Sequence, residues 1–230
     1  MVIQLQSGIR IRNPQKITIS YYGNPHIKGM GKGVHKYDGT KLPEDNSFSE
    51  DQMRLAIHLV NGFGGRGIPT EKVIKLFSAN QAEIEARLAE VPFNRSIFDA
   101  YDDIPWSKVK LLFDSCRVSY IGRARMTKIL HKKRPDLIPI LDSVVVDKYL
   151  EPLLAKQRIA SAPSEIEKAV YYIKILKGDV DRNRHPLMEL QSWAGKHYHD
   201  ISILRVLDIL IWSCFGPFRE RICGHNLLIG

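Results

Sequence analysis

Cysteine is scarce in this chain: three in 230 residues, Cys116, Cys214 and Cys223, with no closely spaced pair. That usage argues against a disulfide framework, a zinc ribbon or a cysteine-ligated iron–sulfur cluster, and it fits a reducing compartment, the cytoplasm. Long apolar runs are missing too. The longest, around Ile201 to Phe215, is broken by Arg205 and Asp208, which leaves no membrane span. The opening MVIQLQSGIR is too short and polar for a secretory signal. The glycine-rich stretch Asn61–Gly67 lacks the Gly-Lys-Ser/Thr of a phosphate cradle, which argues against nucleotide hydrolysis. Acid is absent from one stretch in particular, Cys116 to Arg134.

What is present is ordinary globular material, 44% apolar and 26% charged, with a net charge of +9 that favours polyanionic partners. The acid-free stretch holds seven lysines and arginines. The patterning predicts a mainly α protein with a small β appendage at its N-terminus. Val2–Leu5 and Lys16–Tyr22 read as strands, and 23–46, rich in glycine, lysine and proline, as a long loop. From Ser47 the period turns helical, giving two regions, 1–46 and a helical domain 47–230. Helices are expected to begin near Ser49, Pro69, Asn80, Pro105, Gly122, Asp142, Ser164, Pro186 and Ile201.

The hairpin, about 107–133, is the strongest motif. Gly122 sits at the turn into a helix, where backbone N–H groups meet a phosphate without an intervening side chain. Ile129 and Leu130 follow seven and eight residues later, on the face that packs on the preceding helix. Arg134-Pro135 and an apolar segment then lead to Asp142, which also stands where a helix N-cap is expected.

These residues resemble the helix-hairpin-helix superfamily of DNA glycosylases, strongly over about 30 residues and loosely elsewhere. That family carries a catalytic aspartate about twenty residues after the hairpin's second glycine. Here 142 − 122 gives 20, so the role falls on Asp142: positioning water and stabilising the cationic sugar as the C–N bond breaks. Members that also cleave the strand carry a lysine eighteen residues before the aspartate. That position is Ala124, so the resemblance implies a monofunctional enzyme, with Lys128 one turn on as a substitute amine. Tyr120 replaces the hairpin's usual first glycine, and the family's four-cysteine cluster is absent.

The segments LHKKRPDLIPILDSVV and Arg205–Trp212 are also similar to an uncharacterised bacterial family. Within the glycosylase class, some members remove hypermodified cytosines, such as glucosylated hydroxymethylcytosine, from phage DNA, and a phage-defence role is one expectation.

The resemblance implies double-stranded DNA as partner, no metal or cofactor, and a monomer. Tyr120, Gly122, Arg123, Arg125, Lys128 and Lys132 would lie along the strand, with Phe63 or Arg66 presented to the minor groove. Tyr21, Tyr22, Tyr37 and Asp38, which bracket the glycine-rich loop, are candidates for a flipped-base pocket. Structural readings stand beside these: Asp142 as a cap, the cations as a solvated face, the tyrosines and the tryptophans as core. Arg205 and Asp208, three apart, read as a partly buried ion pair, or Asp208 lines a pocket. His197 and His199 have no evident third metal ligand. A non-catalytic DNA-binding hairpin module is the alternative function, and a protein-interaction domain with an incidental basic face is a second.

Overall fold

The computed structural model describes residues 1–23, 30–43, 45–62, 69–156, 164–217, 219–223 and 227–229. Strands β1 (Val2–Gln4) and β2 (Ile9–Arg12) pair antiparallel with Ile3 opposite Ile11, and Gly8 turns between them at φ +90°. From the far end of the chain, β3 (Leu227–Ile229) pairs with the other edge of β2. Period-two alternation puts Ile3, Ile9 and Ile11 inward and Val2, Arg10 and Arg12 outward. Asn183 docks this sheet on the helices. Its amide donates to the Gln4 carbonyl and its oxygen accepts the Gln4 N–H, both at 2.9 Å, the exchange a neighbouring strand would make.

Two segments assigned in the sequence reading take another form, and β2 and β3 have no counterpart in it. Lys16–Tyr22 is not a strand but part of helix α1 (Pro14–Gly23). Its buried residues, Pro14, Ile17, Thr18, Tyr21 and Tyr22, follow a helical spacing. So short an alternation of β-branched and aromatic residues fits either period, and packing against α11 (Ile203–Phe215) decides. The expected loop at 23–46 contains helix α2 (Met30–Gly39), which buries Val34, Tyr37 and Asp38. Its glycines weaken helix propensity, and contact with α3 (Glu50–Gly62) overrides them.

The remaining helices mostly start close to their sequence signals, except that the one at Glu151 begins well past Asp142 and the one at Arg219 has no counterpart in the sequence reading. They are α4 (Thr70–Ala79), α5 (Gln81–Glu90), α6 (Trp106–Ser115), α7 (Arg123–Lys133), α8 (Glu151–Lys156), α9 (Glu165–Arg182), α10 (Arg184–His197) and α12 (Arg219–Cys223). Ser164 and Ser202 cap α9 and α11 by accepting the Glu167 and Arg205 N–H groups. Before α8 the chain winds in the wider π form over Val144–Leu150, an uncommon geometry that recurs beside functional sites.

Every residue from Ile203 to Cys214 in α11 is buried, so this helix is the axis of the fold. One apolar core runs from Ile3 to Cys223, and residues 1–46 supply Ile3, Tyr21, Tyr37 and Leu42 to it. The protein is mainly helical with a small sheet. Among the described residues, no helix is long and apolar enough to cross a membrane.

Candidate active site

The expected hairpin falls on α6 and α7, with residues 116–122 between them; α7 packs on α3, and α6 on α5 and α9. Tyr120 adopts φ +71°, the conformation a glycine would take at this turn, and its ring is exposed with the Lys72 ammonium 4.8 Å above it. A side chain in that region costs about 1–2 kcal/mol relative to right-handed backbone. Gly122 precedes α7 in extended backbone (φ −82°, ψ 174°). A Cβ built there meets nothing within 4 Å, so the protein's own packing does not demand glycine. Ile129 and Leu130 are buried, but α7 packs chiefly on α3 rather than on the preceding helix expected from their spacing.

The seven cations divide by direction. Arg117, Arg123 and Arg125 lie around the hairpin tip: Arg123 pairs with Glu165 at 2.8 Å and Arg125 donates to the Tyr120 carbonyl at 2.7 Å. Lys132, expected on DNA, instead donates inward to the carbonyls of Tyr37 and Thr40 (2.9 Å to the latter). Lys133, fully buried, meets Asp45 at 2.6 Å and the Pro43 carbonyl at 2.8 Å. Arg134, 1% exposed, donates to the carbonyls of Val91, Leu88 (2.6 Å) and Lys133 and to Asn46 Oδ1 (2.7 Å). The Arg-Pro turn is therefore a structural clamp on the end of α5. Lys128 is also turned inward, and burial depresses its pKa against the opposing pull of Asp142 and Asp208. Lys128 and Lys132 are thus corrected from strand contacts to inward-facing groups. Arg66 lies outside the described residues, as does Phe63.

Asp142 is held against α7 by one tie. The Leu141 N–H donates to Thr127 Oγ1 at 3.0 Å, and that hydroxyl donates to the Arg123 carbonyl one turn back. Asp142 is half-buried; its Oδ1 accepts the Val145 N–H at 3.0 Å, so it does cap the helical turn that follows. Its second carboxylate oxygen takes no hydrogen bond from the described residues. Lys128 and Asp208 stand close enough for its charge to act on both.

Behind this group lies a buried charge network. Arg205, 1% exposed, makes a bidentate pair with Asp38 (2.8 and 3.1 Å), meets Asp208 Oδ2, and donates to the Tyr21 hydroxyl at 3.0 Å. Burial works to raise Asp38, but Arg205 outweighs it and holds the carboxyl below its ordinary range. Asp208 gets less of that guanidinium. Burial, with Asp142 adding to it, pushes Asp208 up to about 7, and its Oδ1 has no partner among the described residues.

The three tyrosines expected around a flipped base are core instead. Tyr37 is fully buried and donates to the Lys128 carbonyl at 2.7 Å; Tyr22 donates to Asp38 at 2.8 Å and stacks on Tyr198 at 4.7 Å. Tyr21 packs edge-on against Trp212. The reason is the helical form of α1 and α2, which turns the rings into the protein: Tyr21 toward α11, Tyr22 toward Tyr198 and Tyr37 toward α7. Asp38 alone of the four lines a cavity, of about 160 Å³, between the ends of α2 and α7 and the start of α11. His131 and Gln191 also line it, and neither carries a motif that the sequence could reveal. Among the described residues, no group of three or more His, Cys, Asp or Glu could hold a metal ion.

Residues 24–214 match the model of a family of unknown function (DUF6308), and the chain belongs to that family. No curated protein matches the chain, and no solved structure does.

Proposed function

We propose that this protein is a monofunctional DNA N-glycosylase that hydrolyses the bond to a modified or damaged base and leaves an abasic site. The supporting observation is the placement of Asp142. It has one carboxylate oxygen fixed by a backbone N–H and the other without a partner among the described residues, and it is tied through Thr127 to the hairpin helix. In this reading the hairpin tip holds the strand through the backbone before α7, with Arg123 and Arg125 beside the phosphates. The free oxygen of Asp142 faces the sugar. As the C–N bond lengthens, positive charge grows on the ring and the fixed carboxylate gains in attraction, which lowers the barrier. The same oxygen orients the attacking water. Ala124 offers no amine to open the sugar, so the strand stays intact.

The test pairs wild type with Asp142→Asn on DNAs carrying ordinary, alkylated, deaminated or hypermodified bases, read with an aldehyde-reactive probe. Abasic sites from wild type alone are expected, and the responsive DNA names the base class. Equal numbers of sites from both proteins overturn the mechanism. The cap bond to the Val145 N–H favours a second reading, a non-catalytic DNA-binding module, which predicts salt-sensitive binding and no abasic sites on any DNA.

A further inference from the structure

Two of the three cysteines lie outside the site around Asp142, and the fold brings them together. Cys214 stands in the last turn of α11, and Cys223 ends α12. Between them the chain turns back at Gly216, whose N–H donates to the Trp212 carbonyl at 2.7 Å. A Cβ built on Gly216 would collide with that carbonyl oxygen, so glycine is what permits so close a return. The turn lays α12 against α11 and α1. There the two sulfurs are 4.0 Å apart, and the Cys223 thiol donates to the Ser213 carbonyl at 3.2 Å.

Cys116 provides the contrast within the chain. It is as buried as the other two, but its neighbour is the Ser115 hydroxyl at 4.0 Å, and among the described residues no other thiol reaches it. A buried cysteine is commonly a small apolar side chain and nothing more. Two in contact on neighbouring helices can also be joined, the sulfurs closing to about 2 Å. The length of α12 decides how an oxidant gains access. Five residues are too few to hold a helix unaided, so α12 keeps its form by packing on α11 and α1. Such an element opens locally at less cost than the core. Opening carries Cys223 into solvent, and closing returns it to Cys214.

We propose that Cys214 and Cys223 form a reversible disulfide that ties α12, and β3 beyond it, to the core when the surroundings turn oxidising. The oxidant is a small disulfide of the glutathione class. The Cys223 thiolate attacks one of its sulfurs, which breaks the oxidant's S–S bond, expels one glutathione thiolate and leaves a mixed disulfide. The Cys214 thiolate then attacks the Cys223 sulfur and expels the second. The two protein thiols give up two electrons and two protons, and both end on the two glutathione molecules released. Reduced glutathione runs the same steps backwards, so the pair stays as thiols in reducing surroundings. Because α12 covers α1 and β3 is the outer strand beside β2, the bond fixes the C-terminal segment on both. The proposal is independent of base release at Asp142.

The test uses the full chain, first reduced and then equilibrated in glutathione buffers that run from reduced to oxidised. Remaining thiols are alkylated in denaturant, and tryptic peptides are weighed by mass spectrometry. The expected result is a linked Cys214–Cys223 peptide pair, lighter by two hydrogens than the sum of its parts, with Cys116 alkylated throughout. Hydrogen exchange at the backbone N–H groups of Arg219–Cys223 and Leu227–Ile229 is compared at the two ends of the series. It is expected to slow about tenfold or more on oxidation. Cys214→Ser is expected to stop at the mixed disulfide on Cys223 and to lose the slowing. The wild-type comparison carries the test should that variant fail to fold. Alkylation of all three cysteines in the most oxidised buffer overturns the proposal. So do glutathione retained on wild-type Cys223 without the link, bonds to Cys116 or between chains, and equal exchange in the two states.

Discussion

The two ends of α7 carry the same kind of residue to opposite ends of the molecule's business. At its start, Arg123 and Arg125 stand around Gly122, near solvent, at the positive end of the helix dipole. Cations are unfavourable there, and they add to a field that attracts anions. At its end, Lys132, Lys133 and Arg134 complement the negative pole and fold back onto backbone carbonyls of α2, of α5 and of the segment after α2. Three cations at the end therefore serve the fold through backbone carbonyls, whereas at the start Arg123 pairs with Glu165 and Arg125 with the Tyr120 carbonyl through exposed hydrogen bonds. A count of charge along the sequence treats both groups alike; direction separates them.

Arg134→Ala tests the structural end most severely. It leaves the Val91 carbonyl unmatched in the core and takes from the Leu88 carbonyl one of its two donors, and a loss of about 3 kcal/mol is expected in urea denaturation. A loss below about 1 kcal/mol would mean that the clamp is dispensable. Next comes the contrast between ends. Neutralising Arg123 and Arg125 together is expected to weaken DNA binding and flatten its log–log salt slope by about 1.8. Lys132→Met is expected to leave that slope alone and to cost about 1–3 kcal/mol of stability, because its two carbonyl partners lose a donor. Interchanged results would break the comparison.

Gly122→Ala sharpens it. The added methyl has open space and extended backbone, so stability should move by less than about 0.5 kcal/mol. On the proposed reading DNA affinity should nonetheless fall, because the methyl would stand between a phosphate and the backbone N–H groups. Unchanged affinity in a gel-shift titration would mean that the hairpin backbone touches nothing.

A pH-dependent test concerns Asp208. Its folded pKa, raised from 3.8 to about 7, means that the folded chain holds a proton that the unfolded chain releases near pH 4. The resulting stability is present below pH 4 and is lost as pH rises through about 7. Wild type should therefore lose stability relative to Asp208→Asn between those limits. A difference independent of pH would show that Asp208 titrates normally.

How legible this was from sequence varies by element. Pro105, Gly122 and Ser164 located α6, α7 and α9, and apolar patterning from Ile201 located α11, because these signals are local and lie within a residue or two of a helix start. The N-terminal region was misread where the deciding contact is remote. Tyr21 and Tyr22 are helical because α11 lies against them, and β3 pairs with β2 across most of the chain. Within the candidate site, the spacing from Gly122 singled out Asp142. It gave no hint that Lys128 and Lys132 turn inward, since either direction suits a lysine four residues from the next. His131, set in a run of lysines, had no signal at all.

The account turns on Asp142. The most direct measurement is single-turnover base release by wild type and Asp142→Asn on the responsive DNA, with binding affinity taken on the same preparations. The prediction is a rate lower by about 100-fold or more, roughly 2.7 kcal/mol of transition-state stabilisation, at unchanged affinity. Equal rates, or no abasic sites from wild type on any DNA, would contradict it.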